Sequence, residues 1–135
     1  MLYIQLDVVP WLAAMVIIVA MSSALDAAET VLVREGRARA TIIVPVDPHA
    51  SETLAAQELQ DHIRRMSGAE LALRGENADQ EGEGPISIYV GHASPEPGLD
   101  AIREGGTDPA SFRLRVTGDA VHLVGLTPTG TLNAT

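Results

Sequence analysis

Short β-branched runs and one long stretch of helical spacing share this chain. Residues 30–34 (TVLVR) form a brief strand pattern ended by Glu35-Gly36, and residues 40–46 (ATIIVPV) form a second. Together they read as a hairpin. Asp47-Pro48 then breaks the pattern and marks a helix start, with Asp as the capping residue and Pro suited to the first turn. Ala55, Leu59, Ile63 and Met66 recur at helical spacing and predict one apolar stripe, with Glu58 and Asp61 facing outward. Glu52 near the start, and Arg64 and Arg65 near the end, complement the helix dipole. Ser67-Gly68 supplies the C-terminal cap.

Beyond the helix the period returns to two. Residues 70–74 (ELALR) and 86–90 (ISIYV) predict strands, separated by an acidic, Gly-containing loop over 75–85. A Pro-rich loop covers 94–98, and residues 99–104 predict one or two helical turns. In residues 111–116 (SFRLRV), Phe112, Leu114 and Val116 point one way and Arg113 and Arg115 the other. Thr117-Gly118-Asp119 is a hairpin turn, and residues 120–125 (AVHLVG) are the partner strand. Thr129-Gly130-Thr131 reads as a helix cap. The order of elements predicts an α+β fold: a two-layer sandwich of a mostly antiparallel sheet packed against one long helix.

The amino-terminal stretch follows a different rule. Residues 11–21 are uninterruptedly apolar, and Ser22, Ser23 and Ala24 follow, with Ser22 and Ala24 in small-x-small spacing. This predicts a signal peptide over residues 1–24 and a secreted or periplasmic protein. Asp7 sits where positive charge belongs, and no Arg precedes Arg34, so an uncleaved anchor is the alternative. Membrane contact is expected through that segment alone.

Composition narrows the chemistry. The 135 residues carry 18 acidic and 9 basic side chains, for a formal charge of -9, which argues against nucleic acid as a partner. Apolar residues make up 46%, enough for a packed core. Cysteine is absent, so thiolate metal sites and cysteine nucleophiles are excluded; every basic residue is Arg, which excludes a Schiff-base lysine.

The acidic residues are spread over loops and the outer helix face, as a solvated surface would be. Asp79-x-Glu81-x-Glu83-Gly84 opens like a calcium loop, but the twelfth position, where a bidentate Glu belongs, is Val90. His49, His62, His92 and His122 show no helical metal-pair spacing; His122 and His92 alone could meet across the sheet. Ser94 lacks the Gly-x-Ser-x-Gly context of a nucleophile elbow, and Gly82-x-Gly84 precedes no helix. Tyr89 and Phe112 sit in strands and are expected in the core. The chain is thus expected to hold no catalytic, cofactor-binding or metal-binding residue of its own.

Several of these pieces resemble a known module when taken in order. They are Ala55-Ala56-Gln57-Glu58-Leu59, Ser67-Gly68-Ala69-Glu70-Leu71, Ile88-Tyr89-Val90-Gly91 and Gly130-Thr131-Leu132. Residues 29–135 resemble the N-terminal domain of family 67 α-glucuronidases, a module similar to the second domain of β-hexosaminidases. The resemblance implies a non-catalytic accessory domain of an exported glycoside hydrolase acting in xylan breakdown. It implies a (β/α)₈ catalytic barrel as partner, with polysaccharide reached through that barrel. Gly130-Thr131-Leu132 would open the helix that leads to the barrel; the resemblance implies a module truncated in that helix at Thr135, so part of the sheet is expected to lack cover. A free-standing exported interaction module, or a truncated product without an independent role, are the alternatives.

Overall fold

A computed structural model describes residues 29–78, 84–93, 102, 104–105 and 108–135. The signal-like segment, the calcium-like positions 79–83 and Ser94 lie outside the described residues. The elements are β1 (Val33–Arg34), β2 (Arg37–Ala38), β3 (Ala40–Val44), α1 (Ala50–Ser67), β4 (Ala72–Gly75), β5 (Ile86–Val90), β6 (Phe112–Val116), β7 (Ala120–Gly125) and α2 (Pro128–Asn133). A single 3₁₀ turn, Gly91–Ala93, follows β5.

The α+β class holds: α1 lies across a five-stranded sheet of order β4-β3-β5-β7-β6. The expected strand directions do not. β3 runs parallel to both β4 and β5, and β5 parallel to β7; β6 with β7 is the one antiparallel pair of this sheet. The reason is length. The 18 residues of α1 span about 27 Å. That carries the chain back past the start of a strand of five residues, so the next strand sets out in the same direction.

The opening hairpin exists with a different partner. Val33 pairs with Ala38 and Arg34 with Arg37, while residues 40–44 join the large sheet. Glu35 (φ 53°) and Gly36 (φ 71°) both take positive φ, which the tightest hairpin turn demands.

The core lies between α1 and one sheet face. Ile42, Val44, Ile88, Val90 and Leu123 meet Ala55, Ala56 and Ile63 of the helix. Two adjacent alanines on the inner face let the helix axis approach the sheet closely. Leu59 is partly buried there, but Met66 is 79% exposed: the last turn overshoots the sheet, so the stripe ends one turn early. Gly68 caps the helix in the left-handed region, its N–H donating to the Arg64 carbonyl at 2.8 Å.

α2 closes the chain against α1 and β7 through a close backbone approach. Thr127, rather than Thr129, is its N-cap, and Thr127 Oγ1 accepts from Gly130 N. Thr131 is fully buried, and its Oγ1 accepts from Gly125 N at 3.0 Å. The Gly-Thr-Leu triplet therefore acts within the fold itself, because Gly130 admits the Ser111 carbonyl and Thr131 satisfies the end of β7. Thr131→Val keeps the shape and removes the acceptor, so a loss of about 1–2 kcal/mol is expected in urea melts. A fully neutral valine variant would contradict this role.

Candidate functional site

The most constrained polar group is Glu52. Sequence spacing assigns it to the exposed first turn of α1; in the fold its side chain is 3% exposed. Oε2 accepts the His49 N–H at 3.0 Å, while His49 Nδ1 accepts the Ser51 N–H at 3.2 Å, forming a reciprocal capping arrangement. His49, and not Asp47, is thus the N-cap. Oε1 accepts from the His92 N–H at 3.2 Å and from His92 Nδ1 at 2.9 Å. Gly91 makes this possible. It takes φ 65°, and any Cβ there would lie against the Glu52 carboxylate, 2.7 Å from Cδ.

Glu52 therefore ties the turn after β3 to the turn after β5, at the carboxyl edge of two adjacent parallel strands. Burial pushes its pKa up. Hydrogen bonds from the His92 ring and from the His49 and His92 backbone outweigh that, helped by the charge on His92, and the carboxyl sits below the usual range. Both carboxylate oxygens are engaged by the fold. The carboxylate fixes the His92 ring, which is half exposed.

A second polar region covers the sheet face opposite α1. A cavity of about 350 Å³ is lined by Thr41, Arg74, Glu76, Ser87, Tyr89 and Asp119, among others. Thr41 Oγ1 is buried there without a hydrogen-bond partner. Among the described residues, Glu76 and Asp119 are its two carboxylates, and they stand at opposite corners. Glu76 follows β4, and Asp119 precedes β7, three strands away and at the other end of the ladder. Strand spacing and rise put their backbones roughly 20 Å apart. Glycoside hydrolysis needs carboxyl groups about 5–9.5 Å apart. Among the described residues, this pair is not spaced for that reaction.

His49 and His92 meet at the Glu52 carboxylate, and the other two histidines lie elsewhere. His62 is exposed on the helix, its ring Nδ1 2.8 Å from the Glu58 carbonyl. His92 meets Glu52, while buried His122 stacks on Tyr89 with ring centroids 5.3 Å apart and planes 8° from parallel. Among the described residues, no three His, Cys, Asp or Glu side chains are grouped to hold a metal ion. No described helix is long and apolar enough to cross a membrane.

The third region is the edge strand β6. Phe112, expected in the core, is 50% exposed; Leu114 is 57% and Val116 55% exposed. Their alternation with Arg113 and Arg115 is as the sequence predicts. Leu114 lies in register with core residue Leu123, and Val116 with Val121, so all three belong to the α1 side of the sheet. That side runs out of cover before it reaches β6.

No protein-family model matches this chain, and no curated protein matches it.

Proposed function

We propose that this chain is a non-catalytic accessory domain of an exported α-glucuronidase-like glycoside hydrolase. Its work is to dock on the (β/α)₈ catalytic barrel that such a domain precedes. The observation that carries the reading is the apolar row Phe112, Leu114 and Val116. It continues the core face of the sheet onto a strand whose apolar side chains stay half exposed, α2 reaching only part of it. Three large apolar side chains in a row on one strand are more than scattered surface residues, and such patches mark contact surfaces. The Gly130-Thr131-Leu132 resemblance supports the same partner. The separation of Glu76 from Asp119, and the full engagement of Glu52, favour a supporting role over a chemical one.

Two measurements test this. The purified domain is expected to release no glucuronic acid from aldouronic oligosaccharides above a buffer blank. Mixed with an α-glucuronidase catalytic barrel, it is expected to co-sediment, and Leu114→Asp is expected to abolish the complex. Turnover by the domain alone, or no complex with the barrel, would overturn the proposal.

A second reading is a free-standing interaction module. Arg113, exposed on the reverse of the same strand, favours it, because it adds a charge preference that an apolar seam alone does not need.

A further inference from the structure

The cavity on the sheet face opposite α1 is used neither by the docking surface nor by the Glu52 network. Strand register explains why it forms. Ala72, Thr41, Ser87 and Ala120 stand side by side on four adjacent strands, a row of small side chains. The next row on the same face is Arg74, Ile43, Tyr89 and His122, all of them large. A short row beside a tall one leaves a trough across the sheet, bordered on its other side by Pro85 and Asp119. Its volume of about 350 Å³ lies at the small end of ligand sites, which run from about 300 to 1,000 Å³.

Thr41 sets what can fill the trough. It sits in the floor with 6% exposure, and its hydroxyl has no hydrogen-bond partner among the described residues. A buried hydroxyl without a partner costs free energy, which a ligand able to bond it recovers. Ser87 places a second hydroxyl on the neighbouring strand. One face of the Tyr89 ring lies on His122 of β7, with planes 8° from parallel, so its other face is turned toward β3 and the cavity. That face carries partial negative charge and attracts the C–H hydrogens of a saturated ring. The remaining lining disfavours other ligands. Glu76 and Asp119 repel an anion, and Arg74, already engaged within the fold, repels a cation. A wholly apolar molecule would leave the Thr41 hydroxyl unpaired and strip water from the carboxylates. Hydroxyl groups, which are uncharged and both donate and accept, match this lining.

We infer that this trough binds a small neutral polyol, a saturated ring bearing several hydroxyls, which bonds Thr41 and Ser87 and lays its C–H face on Tyr89. The inference goes beyond the docking reading and does not rest on it. The trough lies on the opposite face of the sheet from the Phe112–Leu114–Val116 row, so a ligand here and a partner there do not compete.

The probes are myo-inositol and glucose, titrated into the isotope-labelled chain. Saturable millimolar binding is expected from at least one of them, with amide shifts centred on Thr41, Ser87 and Tyr89. Three comparison compounds are each expected to bind about tenfold more weakly or not at all. Cyclohexanol keeps the ring and one hydroxyl, glucose 6-phosphate adds negative charge, and glucosamine adds positive charge. Thr41→Val keeps the shape and deletes the hydroxyl. It is expected to weaken polyol binding about tenfold while the melting midpoint holds or rises, because the variant removes an unpaired buried group. A residue needed only for structure would not split the two readouts in this way. Ser87→Val suits a strand and fills the floor; it is expected to abolish binding and keep the spread of the amide spectrum. Several results would overturn the inference: no saturable shifts with either polyol, shifts centred elsewhere, or a comparison compound that binds as well as the polyols. So would unchanged polyol binding by Thr41→Val, or a lower melting midpoint for it, which would show the hydroxyl already bonded in the fold.

Discussion

Glu52→Ala is expected to destabilise the domain by about 3 kcal/mol and to lower its melting midpoint by roughly 15 °C. Three donors lose one acceptor group at once: the His49 N–H, the His92 N–H and the His92 ring. Two of them are backbone groups at points where the chain changes direction, and they gain no other partner from an alanine. The N-terminus of α1 also loses its reciprocal cap. Glu52→Gln separates charge from shape, since the amide oxygen can still accept one of these bonds. It is expected to cost less than alanine and to change the response to acid.

The sign of that response follows from the direction of the pKa. The folded carboxyl titrates below the ordinary glutamate value. Its ionisation therefore contributes stability above the ordinary value of about 4.3, and that stability is lost as pH falls through the lower, folded value. Urea melts from neutral to acid pH should show the unmodified domain weakening across this window. Glu52→Gln should be flatter there. Equal acid slopes in the two proteins would contradict the placement of Glu52 in this network.

Gly125→Ala is expected to cost about 3 kcal/mol or to prevent folding outright. A Cβ at Gly125 would overlap the backbone N of Thr131 and the backbone C of Gly130, and would lie 2.6 Å from the Thr127 carbonyl oxygen. None of these atoms belongs to a side chain that can swing aside. Either α2 shifts off the end of β7 or the hydrogen bond from Gly125 N to Thr131 Oγ1 breaks. Gly75→Ala is the control: its Cβ would meet nothing within 4 Å, and a change within about 0.5 kcal/mol is expected. Thermal melts of the two variants side by side decide the matter. Comparable stability would mean that α2 is not held as described.

Much of the local structure was legible. The helix over residues 50–67, its glycine cap, the alternation of β6 and the β6–β7 hairpin are all consequences of short-range pattern. Ala55 and Ile63 mark the inner helix face correctly because a period of 3.6 is intrinsic to the backbone. Met66 breaks the prediction because periodicity cannot say where the sheet beneath the helix stops. Phe112 was misplaced for the same reason: an alternating strand announces its two faces but not which of them finds a partner layer.

Strand direction was not legible at all, because a run of alternating residues looks alike whether its neighbour runs parallel or antiparallel. Nor was the role of Glu52. An acidic residue in a first turn is ordinary for the helix dipole, and nothing local distinguishes an exposed one from one that reaches His92, 40 positions away. Gly91 carried a faint signal, since glycine ending a strand marks a special turn. Its reason, room for a carboxylate, appears when β3 and β5 lie side by side.

By itself the sequence determined most of the elements and their faces, because those depend on neighbours within a few positions. Tertiary structure alone decided that the sheet is mainly parallel, that a surface-like glutamate is buried at the junction of two strands, and that the apolar side of β6 stays open. Each of these is a statement about which distant segments touch, and contact between distant segments is set by the packing of the whole core.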